Sequence, residues 1–320
     1  MSWSCRREWM KKTRQFYWLG LSLALMAVRA AATGAQPIAS FPRTFSDGAG
    51  RMVNIAAAPQ RIVSLSPAAT DILEISLTIH TEVVGVTLFC RIPAEDESRV
   101  ARVGGVVDPD YERILALKPD LVIAPFLADK TLQEKLISLG LTVVILHPES
   151  LQGILDDIRL LGRATGHDGA GEAAAKHIDD IRTLVASRWQ SVPENQRPRV
   201  LLRMGDSSPA PGSYVDDLIT AAGGRNALPR GPRAWVEVSP ESALQLAPDL
   251  VIDIRSSNQT APGAAPEKSV SPRSVAITAG DEFYHPGPGV GQALWDLARV
   301  LYPARFPEAA PPAATAIVHK

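Results

Sequence analysis

One twelve-residue pattern occurs twice in this chain. Glu112–Ile123 reads Glu-Arg-Ile-Leu-Ala-Leu-Lys-Pro-Asp-Leu-Val-Ile, and Glu241–Ile252 reads Glu-Ser-Ala-Leu-Gln-Leu-Ala-Pro-Asp-Leu-Val-Ile. The offset is 129 residues and eight of twelve positions are identical. Each copy follows Asp-Pro or Ser-Pro, a polar cap plus a proline suited to a helix start. Each then breaks at Pro-Asp and feeds an apolar run of strand length. The competing reading is ordinary helix-to-strand chemistry used twice. Equivalent placement in the two halves favours a duplicated α/β unit. A cleft between two such lobes suits a small ligand.

The rest of the chain fits that frame. Residues 36–60 form an arm with Pro37, Pro42 and Pro59. The stretch 61–150 alternates apolar strands (61–65, 82–86, 121–124 and 142–146) with helices of about ten residues, the pattern of an α/β lobe with a largely parallel sheet. Residues 151–192 lack strand signals and form a connecting helical segment, with Gly166, Gly169 and Gly171 expected to interrupt it before a helix from Ala173 to Trp189. Strand–helix alternation resumes over 193–303, the second lobe, within which 256–274 is rich in Ser, Pro, Ala and Gly and reads as a flexible loop. The proline-rich tail 304–320 is expected to be disordered.

The start of the chain is of another kind. Arg6, Arg7, Lys11, Lys12 and Arg14 precede an uncharged apolar run from Phe16 to Val28 and then small residues to Ala35. This is the form of a cleaved secretory signal over 1–35, cut after Ala32 or Ala35, and the run is shorter than the ~20 residues that span a bilayer. Without it the chain carries 27 basic and 33 acidic side chains, net −6 rather than −1, so nothing draws it to nucleic acid. Cys90 alone would remain of two cysteines, which excludes an internal disulfide and a thiolate zinc site.

Catalytic signatures are missing. There is no Gly-x-Ser-x-Gly elbow and no Gly-x-x-x-x-Gly-Lys phosphate loop, and the histidines do not fall at metal-ligand spacing. No catalytic residue, metal site or cofactor is expected, beyond a bound ligand.

Arg61-Ile-Val-Ser-Leu-Ser-Pro-Ala-Ala-Thr70, Val84-Gly-Val-Thr87, Val103-Gly-Gly105, Ile114–Ala124, Asp216–Asn226, Val238-Ser239 with Glu241, and Pro286-Gly-Pro288 form one set of motifs. Over about residues 53–303 the chain resembles the periplasmic substrate-binding proteins of ABC importers for vitamin B12 and ferric siderophores. The resemblance implies two α/β lobes with mainly parallel sheets, joined by a long helix that allows only a small opening motion. It implies a periplasmic, monomeric binder of a small molecule, with a permease dimer as partner and no membrane insertion of its own. Glu112 and Glu241 fall on the family's permease-docking positions, and Phe89, Cys90, Phe126, Arg203, Trp235, Asp281 and Phe283 are the ligand-contact candidates. Aromatic faces suit a flat macrocycle. A cobalamin-like corrinoid is the first expectation. A ferric siderophore held through Arg203, or haem ligated by Tyr111, Tyr214 or Tyr284, is the alternative. A secreted chelatase-like enzyme on the same scaffold is the alternative of another class.

Overall fold

The computed structural model describes residues 40–127, 130–256, 274–279 and 282–311. The expected signal (1–35), most of the 256–274 loop and the end of the tail lie outside the described residues, as does Asp281.

The arm is ordered. β1 (Arg43–Ser46) and β2 (Met52–Ile55) pair as an antiparallel hairpin. Its turn is held by Asp47, whose buried carboxylate accepts from the amides of Ala49, Arg51 and Ile145 and pairs with the Arg51 guanidinium at 2.7 Å. The sequence reading of a plain arm missed this hairpin because a polar side chain, not an apolar pattern, organises its turn.

The first lobe follows in order: β3 (Ile62–Ser64), α1 (Pro67–Asp71, continued by a wide π turn over Ile72–Ser76), β4 (Val83–Val86), β5 (Ala101–Arg102), α2 (Tyr111–Ala116), β6 (Leu121–Pro125), α3 (Thr131–Ser138) and β7 (Val143–Leu146). The sheet is parallel throughout, in the order β5-β4-β3-β6-β7. Ser66 caps α1 ahead of Pro67. The cap of α2 is Asp110, two residues past the expected Asp108. Gly85 lies under α2, where an added Cβ would come within 2.6 Å of Leu117.

α4 (Leu151–Thr165) and α5 (Asp168–Trp189) make the connection. Only Gly166 breaks the helical path, at φ 83°. The expected interruptions at Gly169 and Gly171 are instead inside α5, a helix of 22 residues and about 33 Å. At Gly171 and Gly162 the two helices touch backbone to backbone, and a Cβ on either would lie 3.1 Å from the other's Cα. The glycines serve close packing rather than termination.

The second lobe holds β8 (Arg199–Met204), β9 (Ser207–Pro209), α6 (Tyr214–Ala221), β10 (Arg225–Asn226), β11 (Trp235–Glu237), α7 (Pro240–Leu246), β12 (Leu250–Ser256), β13 (Ser274–Ala279) and α8 (Val290–Leu301). Its sheet runs β11-β9-β8-β12-β13, with β10 beside β8. β8, β12 and β13 are parallel, whereas β9 folds back and pairs with β11 antiparallel.

The repeat sits at equivalent places. α2 feeds β6 and α7 feeds β12, each strand next to last in its sheet order. Each helix ends on a left-handed non-glycine residue, Lys118 at φ 48° and Ala247 at φ 44°. Asp120 then accepts from the Gln60 and Arg61 amides, and Asp249 from the Arg199 amide, tying down the start of the neighbouring strand.

Each half has length enough for a core of its own, yet one buried cluster runs from Val53 through the connecting helices to Phe306, with smaller clusters on the outer face of each lobe. The tail is not disordered over 304–311. Phe306 is fully buried edge-on against Trp295, and Glu308 pairs with Arg188 at 2.8 Å.

Candidate functional site

In a parallel sheet the loops after the carboxyl ends of the strands form the binding edge. In the first lobe Phe89 lies in the loop after β4 and is 64% exposed, with Leu88 beside it. The Leu88 amide donates to the Gly104 carbonyl, which joins this loop to the one leading into α2. Phe126 follows β6 and stacks on His147, after β7, at 4.1 Å between ring centroids. In the second lobe Trp235 is 38% exposed in β11, with Tyr214 tilted against it at 6.2 Å. β11 joins β9, which turns back from the carboxyl end of β8; Glu237 reaches that edge opposite Ser207, and Trp235 stands two residues back from it, opposite Pro209 at the start of β11. Phe89 and Phe126 thus stand in loops at the carboxyl edge of the first sheet, and Trp235 opens β11, the edge strand of the second.

Other candidates are placed differently. Cys90 is buried, its Sγ 3.2 Å from the Thr70 hydroxyl and 3.1 Å from that of Thr87. Burial pushes its thiol above the ordinary range. It packs the lobe and does not face a cleft. Phe283 is fully buried, and its carbonyl accepts from the Tyr214 hydroxyl. Arg203 lies 3.5 Å from Asp253 on the adjacent strand, so its charge is already balanced. The haem-iron alternatives fare similarly. Burial holds the Tyr214 phenol well above its ordinary range, and Tyr284 donates to the Ile254 carbonyl at 3.2 Å.

A feature the sequence reading missed joins the lobes. A cavity of about 360 Å³ is lined by Asp71, Glu74 and Arg91 of the first lobe and by Glu282 and His285 of the second. His285 Nδ1 stands 3.3 Å from Asp71 Oδ2, across 214 residues of chain. Burial, then the charges of Asp96 and Asp71, push the Glu74 carboxyl up to about 7. Proximity of His285 to the predicted Asp281 was the one available signal; the pairing with Asp71 is purely tertiary.

Glu112 and Glu241 are both exposed, each in the first turn of its helix. Their helices begin at the binding edge. The Asp110 amide donates to the Val103 carbonyl, just past β5, and two residues separate β11 from α7. Glu241 is held below the ordinary carboxylate range by its own amide and by the Ser239 hydroxyl. Among the described residues no group of three His, Cys, Asp or Glu side chains is arranged to hold a metal ion, and no helix is long and apolar enough to cross a membrane.

Residues 62–264 match the family described as periplasmic binding protein. The chain is 31% identical over 220 residues to a cobalamin-binding protein of Halobacterium salinarum, covering 67% of this chain and 58% of that relative. The chain thus spans little more than half the length of that relative. Among solved structures it is similar to the periplasmic haem-binding protein RhuT from Roseiflexus sp. RS-1, at 27% identity and TM-score 0.63, covering 77% of this chain and 99% of that one. It is also similar to the periplasmic vitamin B12 binding protein BtuF of Vibrio cholerae, at 25% identity and TM-score 0.65, covering 78% and 98%.

Proposed function

The chain belongs to the periplasmic binding protein family, and from that premise we propose that it captures a cobalamin-like corrinoid outside the cytoplasm and delivers it to an ABC import permease. The observation that carries the corrinoid reading is the pair of exposed aromatic faces, Phe89 in the loop after β4 on one lobe and Trp235 in edge strand β11 on the other. Two flat apolar faces suit a macrocycle that is large and planar. The cobalamin-binding relative supports the same choice.

The alternatives draw less support. An anionic ferric chelate would call on Arg203, whose charge Asp253 already balances. Haem remains the second reading because of the similarity to a haem-binding structure. Of the described tyrosines, 214, 284 and 302 donate to main-chain carbonyls, which leaves Tyr111 as the candidate for iron. Glu112 and Glu241 take the part of docking groups for arginines of the permease. Exposed carboxylates at helix starts are favoured by the helix dipole and open to a partner, and an ion pair formed on docking specifies it.

A thermal-shift screen with cyanocobalamin, dicyanocobinamide, a ferric siderophore and haem tests the ligand. A corrinoid at 100 times its dissociation constant should add about 2.7 kcal/mol to stability, and Phe89→Ala with Trp235→Ala should abolish most of that shift. A shift with haem or the ferric chelate, and none with either corrinoid, rejects the proposal.

A further inference from the structure

Of the eight identities between the two repeat copies, six are explained by the fold. The Leu-Val-Ile triplets are the buried spines of β6 and β12, and the leucine closing each helix packs onto its lobe's outer cluster. The prolines stop the helices, and the aspartates hold the strand starts. Two identities remain, and both are on the surface. One is the Glu112 and Glu241 pair. The other is Leu115 and Leu244, which are 39% and 61% exposed.

Each leucine lies three residues after its glutamate, a spacing that brings two side chains together on one helix face. Exposed neighbours differ between the copies: Arg113 against Ser242, and Ala116 against Gln245. A single exposed leucine would mean nothing. Here the same large apolar residue occupies equivalent exposed sites, beside the same acid, in copies that differ at four of twelve positions.

We infer that each lobe meets the permease through a two-part patch, Glu112 with Leu115 on one lobe and Glu241 with Leu244 on the other. This rests on the docking role proposed above for the glutamates. The partner chemistry follows from the patch. Each permease site presents a guanidinium or ammonium group beside an apolar hollow deep enough for a leucine. It presents that pair twice, because the patch is duplicated, as the two halves of a two-fold dimer would. The carboxylate supplies orientation and encounter, and the leucine, desolvated on contact, supplies the tightness that a screened surface charge lacks.

The test is uptake of radiolabelled cyanocobalamin by cells carrying chromosomal variants, with titration calorimetry of the purified full-length proteins. Leu115→Ala with Leu244→Ala should lower uptake at limiting protein at least about tenfold, with cyanocobalamin affinity and melting temperature unchanged. Leu115→Met with Leu244→Met should restore most of it. Wild-type uptake in the alanine pair, while Glu112→Arg with Glu241→Arg blocks uptake, overturns the leucine inference and leaves the docking reading standing. Undiminished uptake in the charge-reversed pair overturns both. A wild-type dimer in sedimentation that the alanine pair dissolves assigns the leucines to a self-interface and overturns the inference as well.

Discussion

Asp157 is a carboxyl group in the wrong medium. It lies in α4, 97% inaccessible, and accepts the His147 amide at 3.1 Å through Oδ1. Oδ2 has no hydrogen-bond partner among the described residues. Burial, with Asp156 adding to it, pushes the group from an ordinary value of 3.8 to about 7. A raised value means that the folded protein holds the proton more tightly than the unfolded chain. The stabilisation is complete below about pH 4 and is lost as pH rises toward 7. Asp157→Asn keeps the acceptor for His147 and removes the titration. Melting curves from pH 4 to 8 should show the variant losing less stability than the parent on the way up. The difference in slope should approach ~1 kcal/mol per pH unit for one proton. Parallel curves would mean that Asp157 is ionised throughout. Comparing the two proteins cancels the contribution of Glu74, which titrates in the same range.

At the scale of elements, α2 and α7 end in the same strained way. Lys118 and Ala247 adopt positive φ with a Cβ, a conformation that costs L-residues about 1–2 kcal/mol relative to the right-handed one. Glycine removes that penalty, less some extra freedom in the unfolded chain. Ala247→Gly, at an exposed position, should therefore raise stability by about 0.5–1 kcal/mol, read as a higher denaturant midpoint at constant slope. These elements were the legible ones. Ser66-Pro67, Ser239-Pro240 and the Pro-Asp stops carry their instructions locally, and the structure follows them within a residue or two. Elements that depend on distant partners were not legible. The β1–β2 turn closes on Asp47, which reaches Ile145. Gly171 reads as a breaker until Gly162 of another helix is set against it. β13 borders a Ser- and Pro-rich stretch and is defined by its parallel register with β12. The candidate site divides likewise: the family resemblance points to Phe89 and Trp235, which are exposed, whereas the burial of Cys90 and Phe283 depends on what packs over them.

For the molecule as a whole the governing fact is the shared core. The main buried cluster passes from the first lobe through α4 and α5 into the second, and His285 meets Asp71 across the junction. A wide hinge would have to tear that cluster open. Ligand capture should accordingly change the radius of gyration in small-angle scattering by less than about 1 Å, in keeping with partners that move little on binding. A contraction of several ångströms would show that the lobes separate freely in solution.

α5 is fastened at both extremities by segments that belong to neither sheet. Near its first turn, Arg43 of the hairpin bonds Asp168 at 2.8 Å and the Arg163 carbonyl at 2.7 Å. Near its last turn, Arg188 grips Glu308 of the tail. A strut pinned at each end transmits load without bending. A ligand held between the lobes, as proposed, would then change the rims more than the joint. On the ligand site proposed above, a fluorescent sensor built on this scaffold would carry its dye beside Phe89 or Trp235, with the strut as the silent reference.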